Sequence, residues 1–93
     1  NSPLGESSLI KAAELNFDID KFADCRNIIN KINKEYPASL SADKLMLLTA
    51  DSFYEEKNNP EAMKYYTELL VKFPNSIYLE KARKRIKEIR NPL

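Results

Sequence analysis

The chain has 93 residues, of which 43% are hydrophobic and 31% charged, and its formal net charge is +1. This length allows one domain, and a charge so close to zero gives no whole-chain case for binding nucleic acid or an anionic membrane. With one glycine, one cysteine and no histidine, the sequence offers no glycine-rich phosphate loop, no His/Cys zinc site and no histidine base. We therefore expect a helical protein that is not an enzyme and has no cofactor and no metal site.

An internal repeat with a period of 37 residues organises the chain. Ser2, Ser39 and Ser76 are 37 positions apart, and Pro37 and Pro74 keep the same spacing. The same shift superposes side chains of similar size and polarity: Leu9 on Met46, Ala13 on Ala50, Glu14 on Asp51, and Phe17 on Tyr54. We predict one domain over 1–93, with repeat one at 2–37, repeat two at 39–74 and a capping helix at 76–90.

Repeat one is predicted to form two helices. The first runs from about Pro3 to Asp18 and begins after Ser2, whose hydroxyl can cap the free amides. The second runs from about Lys21 to Glu35, with Asp20 as its cap. Its apolar residues recur with helical spacing: Phe22, Cys25, Ile28, Ile29 and Ile32.

Repeat two follows the same plan. Its first helix is predicted from about Leu40 to Glu56. Its second helix is predicted from Pro60 to about Lys72, with Asn59 as its cap and Pro74 beyond its end. A last helix is then predicted from about Ile77 to Arg90, after the cap Ser76.

Small and large residues alternate in both repeats in a recognisable order. Repeat two contains Met46-x2-Thr49-Ala50-x2-Phe53, then Ala62-x3-Tyr66, then Pro74. Repeat one contains Leu9-x2-Ala12-Ala13-x2-Asn16, then Cys25-x3-Ile29, then Pro37. This order resembles the tetratricopeptide repeat (TPR) superfamily. The resemblance implies an all-α, right-handed TPR-like α-α superhelix of two helix pairs and a C-terminal capping helix, in which Ala13 and Ala50 face Cys25 and Ala62 at close helix contacts.

The linkers narrow this resemblance further. The segment Phe73-Pro74-Asn75-Ser76 followed by Glu80-Lys81-Ala82-Arg83 resembles a bacterial envelope subset of these repeats, which includes outer-membrane assembly lipoproteins and Tol-Pal coordinators. The resemblance implies a protein-protein interaction or scaffold module in a fragment of a larger envelope protein, in the periplasm or cell envelope, with a cytoplasmic location left open. Two other functions stay open: a structural spacer without a ligand, and an accessory domain of an enzyme whose catalytic part lies elsewhere.

The last predicted helix carries a run of basic residues. They are Lys81, Arg83, Lys84, Arg85, Lys87 and Arg90. Arg83, Lys87 and Arg90 align with Met46, Ala50 and Phe53, which are expected to pack on the second helix of their own repeat. No such helix follows in the last copy, so charge at these positions suits a terminal cap better than a phosphate-binding or nucleic-acid-binding face.

The first helices of the repeats are expected to line the inner face of the stack. Repeat positions place Ile10 with Leu47, Phe17 with Tyr54, and Glu14 with Asp51 and Glu88; a further row is Ser7, Lys44 and Lys81. Two interpretations are open. The apolar rows either pack between helices or form a shallow peptide groove with an acidic stripe. In the second case, these seven residues of the first three rows bind a partner segment that carries apolar and basic residues. No apolar run approaches 18 residues, so no membrane insertion is expected, and the oligomeric state is not predicted.

Overall fold

The computed structural model describes residues 5–92, and this part of the chain forms helices and connecting loops without a strand. The helices are α1 (Glu6–Asp18), α2 (Phe22–Glu35), α3 (Ala42–Glu55), α4 (Asn59–Lys72) and α5 (Leu79–Arg90). In the stack, α1 packs on α2, α3 packs on α2, α1 and α4, and α5 packs on α4. The predicted all-α, TPR-like helical repeat is confirmed, with two helix pairs and a fifth helix.

Three helices begin two or more residues later than predicted. α3 begins at Ala42 instead of Leu40, and α5 begins at Leu79 instead of Ile77. α1 begins at Glu6 after Gly5, which has an extended backbone, while the predicted cap Ser2 and start Pro3 lie outside the described residues. The late starts of α3 and α5 have the same cause. The hydroxyls of Ser39 and Ser76 each accept a hydrogen bond from a backbone N–H that precedes the helix.

These serines also tie each repeat to the one before it. The Ser39 hydroxyl accepts from the N–H of Ser41 at 3.0 Å and donates to the Glu6 carboxylate. The Ser76 hydroxyl accepts from the N–H of Tyr78 at 3.0 Å and donates to Oδ2 of Asp43 at 2.7 Å. One loop serine therefore bonds to the first turn of the preceding repeat in both places, which fixes the offset between successive first helices.

The turn inside each repeat uses a residue with a left-handed backbone. Asp20 has φ of 63° and Lys57 has φ of 62°, and the two are 37 positions apart. The next residue in each turn, Lys21 or Asn58, donates its N–H to a carbonyl five residues earlier, at 2.8 and 2.9 Å. This is the Schellman arrangement that ends many helices. The prediction that Asp20 caps α2 was therefore wrong, because Asp20 belongs to the end of α1 and Lys21 precedes α2.

The cap of α4 is also displaced by one residue. Asn59, the predicted cap, is the first residue of the helix, and Asn58 accepts the N–H of Glu61 at 3.4 Å. Asparagine is favoured at this position because its side-chain oxygen satisfies a free amide of the first turn.

Replacing Lys57 with glycine is expected to stabilise the protein by about 0.5–1 kcal/mol, because a side chain strains a left-handed backbone and glycine does not. Urea denaturation followed by circular dichroism measures the change. The matched control is Lys64→Gly in the middle of α4, which should lower stability by about 1 kcal/mol. An unchanged or lower stability of Lys57→Gly would contradict the described turn.

The core consists of two neighbouring clusters, each formed mainly by one repeat and completed by a residue of the next first helix. The first contains Leu9, Ala13, Cys25, Ile29, Ile32 and Leu45, and the second contains Leu47, Ala50, Ala62, Tyr66, Leu69 and Ala82. Ala13, Cys25, Ala50 and Ala62 are fully buried, which confirms the expectation that small residues occupy the closest helix contacts. Burial raises the pKa of the Cys25 thiol to about 11, against a partial opposing effect of Arg26, so Cys25 behaves as a small apolar side chain.

Candidate functional site

The seven predicted site residues line the surface formed by α1, α3 and α5, but they do not share one groove. Ile10 and Glu14 line a depression of about 500 Å³ beside α1. Glu14, Phe17, Leu47 and Asp51 line a second one of about 380 Å³, called here the central groove. The remaining two, Tyr54 and Glu88, line a third of about 650 Å³ near the end of α5. The surface is thus a row of shallow sites, the first two of which share Glu14 and Lys44.

The central groove combines apolar and charged side chains. Its apolar members are Phe17, Leu47, Leu48 and Tyr78, and its charged members are Glu14, Asp18, Lys44, Asp51 and Lys81. Leu47 is only 7% exposed, whereas Phe17, Leu48 and Tyr78 are half-buried. Sequence reasoning missed Leu48, Tyr78 and Asp18. Leu48 and Asp18 directly follow predicted site residues, which was an available signal, but Tyr78 aligns with Ser41 in the preceding repeat, so no equivalent aromatic residue indicated it.

Two of the three residues in the predicted acidic row, Glu14 and Asp51, are paired with lysines of the following first helix. Lys44 Nζ lies 2.7 Å from Oε2 of Glu14, and Lys81 Nζ lies 3.1 Å from Oδ2 of Asp51. Each lysine follows its carboxylate by 30 positions, so the repeat reproduces the same ion pair. The hydrogen bond that Lys44 donates to the Glu14 carboxylate is the main cause that raises the pKa of Lys44. At Glu14 and Asp51 the predicted acidic stripe is therefore a pair of internal ion pairs.

Asp51 differs most from its predicted role, because it is 7% exposed and already has two partners. Its Oδ1 accepts a hydrogen bond from the Tyr66 hydroxyl, and its Oδ2 pairs with Lys81. Burial, and then the bonded carboxylate, raise the pKa of Tyr66 far above its usual range, so the phenol stays a donor. Asp51 consequently links α3, α4 and α5, and it contributes to the groove as a wall.

The third depression is covered in part by Arg85. The guanidinium carbon of Arg85 lies 4.3 Å from the centre of the Tyr54 ring, a cation–π contact. Arg85 also donates from its terminal nitrogen to Oε1 of Glu88 at 3.1 Å. Burial lowers the pKa of Arg85, but Glu88 and the neighbouring tyrosines outweigh it and the net shift is upward. Tyr54 and Glu88 are thus brought together through Arg85, which sequence reasoning did not assign to this surface.

Two further properties of residues 5–92 bear on function. No three or more cysteine, aspartate or glutamate side chains in this range come together as a set that could hold a metal ion. None of the described helices has the length and apolar character needed to cross a bilayer.

The comparison with protein families finds one match. Residues 44–76 match the family model of the tetratricopeptide repeat, a segment that extends from the first turn of α3 through α4 to the loop before α5. Tetratricopeptide repeats generally mediate protein–protein interactions and are typically not catalytic. The match supports the predicted superfamily and does not extend to the envelope subset. No curated protein matches the sequence.

Proposed function

We propose that this helical array is a protein–protein interaction module that binds an extended partner segment in the central groove. The observation that supports the proposal is the row of half-buried apolar side chains, Phe17, Leu48 and Tyr78, in an open groove between charged walls. These side chains still expose apolar surface to water. An apolar residue of a partner that covers this surface contributes a free energy of about 25 cal/mol per Å² of apolar surface buried.

The charged residues of the groove indicate which charge a partner segment should carry. Glu14 and Asp51 are each paired with a lysine, which leaves Asp18 as the remaining carboxylate of the groove. Asp18 is exposed, and the described part of the chain provides no ion pair for it. A basic residue of the partner, next to the apolar residue that contacts Phe17, therefore fits beside Asp18. Such an exposed pair acts on association rate and specificity more than on affinity.

The test begins with a displayed library of random peptides selected on the purified protein. We expect the enriched peptides to carry an apolar residue close to one lysine or arginine. Anisotropy with such a peptide should show about tenfold weaker binding for Phe17→Ala, because an apolar anchor is lost. Asp18→Asn should weaken binding about threefold at low salt and less at high salt.

The matched control is Asp24→Asn, which removes an exposed carboxylate of α2 outside the groove and should leave binding unchanged. Melting curves establish that each variant is folded. A selection that enriches nothing, or peptides that bind Phe17→Ala and Asp18→Asn as tightly as the original protein, would contradict the proposal.

A structural spacer without a ligand is the second candidate, and one observation favours it. The ion pairs Glu14–Lys44 and Asp51–Lys81 already join successive first helices, so the inner face has a role in holding the stack together. Phe17 also packs against the first core cluster and lies edge-on to Phe22, so an empty selection together with lower stability of Phe17→Ala would favour this alternative.

The wider setting is also a proposal. The linker resemblance to envelope repeats supports a place within a larger bacterial cell-envelope protein. Immunoblotting of cell fractions with an antibody against this domain tests it, and a signal confined to the cytoplasmic fraction would overturn it.

A further inference from the structure

The face of α5 that points away from α4 is strongly basic. Arg83, Lys84, Lys87 and Arg90 are all exposed, whereas Ala82, on a different side of the helix, is fully buried. Leu79, Ile86 and Ile89 pack with Ala82 against the second core cluster. The exposed cations recur at i, i+4 and i+7 in Arg83, Lys87 and Arg90, which places these three on one stripe.

On α3, the positions equivalent to this stripe are covered by the packed helix α4. Arg83, Lys87 and Arg90 follow Met46, Ala50 and Phe53 by 37 positions. There Ala50 is buried in one cluster with Ala62 of α4, and Met46 packs against this cluster. Phe53 stacks on Tyr65 of α4 with ring centres 5.7 Å apart. The stripe of α5 is thus the position at which this fold receives another helix, with cations in place of the apolar contacts.

Most of these cations have no partner within the described residues. Arg83 pairs with Glu80 of its own helix at 2.8 Å, and both side chains are exposed. The ion pairs of residues 5–92 include none for Lys84, Lys87 or Arg90. We propose that this basic face docks an acidic helix of a partner protein, with carboxylates at i, i+4 and i+7, in the place that α4 occupies on α3.

Charge and spacing favour an acidic helix over nucleic acid. The chain as a whole has a net charge of only +1, and Glu80 and Glu88 lie on the same helix as the cations. A nucleic-acid surface usually combines a broad positive field with groups that contact bases, and the exposed residues of this stripe are limited to charged side chains. A second copy of the chain fits poorly, because no described helix carries acidic residues at i, i+4 and i+7.

The test uses a designed alanine-rich helical peptide with glutamates at i, i+4 and i+7, labelled for anisotropy, and a peptide with glutamine at the same positions. At about 50 mM salt, where surface charges are weakly screened, the glutamate peptide should bind and the glutamine peptide should not. The protein variant Arg83→Gln/Lys87→Gln/Arg90→Gln should bind the glutamate peptide about tenfold more weakly. The control Lys31→Gln/Lys34→Gln/Lys64→Gln removes the same charge from exposed positions of α2 and α4 and should retain most of the affinity.

Three results would overturn the proposal. One is equal binding of both peptides, and another is equal loss of affinity in the two triple variants, which would show a response to net charge alone. The third is displacement of the peptide by an equimolar DNA or RNA duplex, which would assign the face to nucleic acid. Circular dichroism excludes unfolding as the cause of any loss. The groove variants Phe17→Ala and Asp18→Asn should leave this binding unchanged, so the two proposals fail independently.

Discussion

Replacing Tyr66 with alanine is expected to cost about 3–5 kcal/mol, the usual range for truncating a fully buried aromatic residue. Tyr66 is 0% exposed and is the largest of the fully buried side chains. Its ring lies in the cluster that joins α3, α4 and α5, together with Ala50 and Leu69. Because domains of this size often have only about 5 kcal/mol of stability, the variant should be largely unfolded at room temperature. Urea denaturation followed by circular dichroism measures the loss.

The variant Tyr66→Phe separates the ring from its hydroxyl. It keeps the packing but removes the hydrogen bond to Asp51, which then retains only Lys81 at 3.1 Å. Leaving a buried acceptor with fewer partners costs about 1–3 kcal/mol, so Tyr66→Phe should remain folded. If both variants lost the same stability, the hydroxyl and not the ring would be the main contribution of Tyr66, and the expected order would be wrong.

The fold could be predicted because the signals that specify it are local and occur twice. Small residues such as Ala13 and Ala50 allow close helix contacts, and both are fully buried. The prolines and serines of the linkers mark where helices end, and the 37-residue shift superposes one repeat on the next. The apolar periodicity of each helix can be recognised from neighbouring residues, and its recurrence 37 positions later supports the interpretation, so a single sequence is enough to predict the fold.

Helix boundaries were harder because the loop residues have two possible partners. Ser76 was predicted to cap the last helix, but its hydroxyl donates to Asp43 of the preceding repeat, as the equivalent Ser39 hydroxyl donates to Glu6. Asp20 looks like the cap of α2, but it has a positive φ and closes α1. In each case the sequence supplies the right residue type, and the three-dimensional contact decides which helix end it serves.

The candidate site shows the same limit. Repeat positions place Glu14 and Asp51 in one row of the first helices, and they place Lys44 and Lys81 in a neighbouring row. The distances between rows follow from how α3 lies against α1, which a single sequence does not give. The distances of 2.7 and 3.1 Å between each lysine and its carboxylate are visible only in the folded structure. The same is true of the contact between the Arg85 guanidinium and the Tyr54 ring. The conversion of an acidic stripe into a series of ion pairs is therefore a tertiary effect.

A second large loss of stability is expected from a substitution at the close contact between α3 and α4. Ala50 and Ala62 are both 0% exposed and belong to one cluster with Tyr66. A leucine at position 50 adds three carbon atoms where interior packing is already dense, so Ala50→Leu is expected to cost about 1–3 kcal/mol through displaced side chains and a shifted helix. Thermal denaturation measures the change.

Two further substitutions show whether this cost arises from the helix contact. Ala23→Leu introduces the same side chain at an exposed position of α2, and it should change stability by less than about 0.5 kcal/mol. Ala13→Leu places it at the equivalent contact of repeat one, beside the buried Cys25, and it should cost about as much as Ala50→Leu. If Ala50→Leu behaved like Ala23→Leu, the two helices would not approach closely at Ala50 in solution. If Ala13→Leu and Ala50→Leu were equally destabilising, the 37-residue repeat would be an energetic unit as well as a pattern in the sequence.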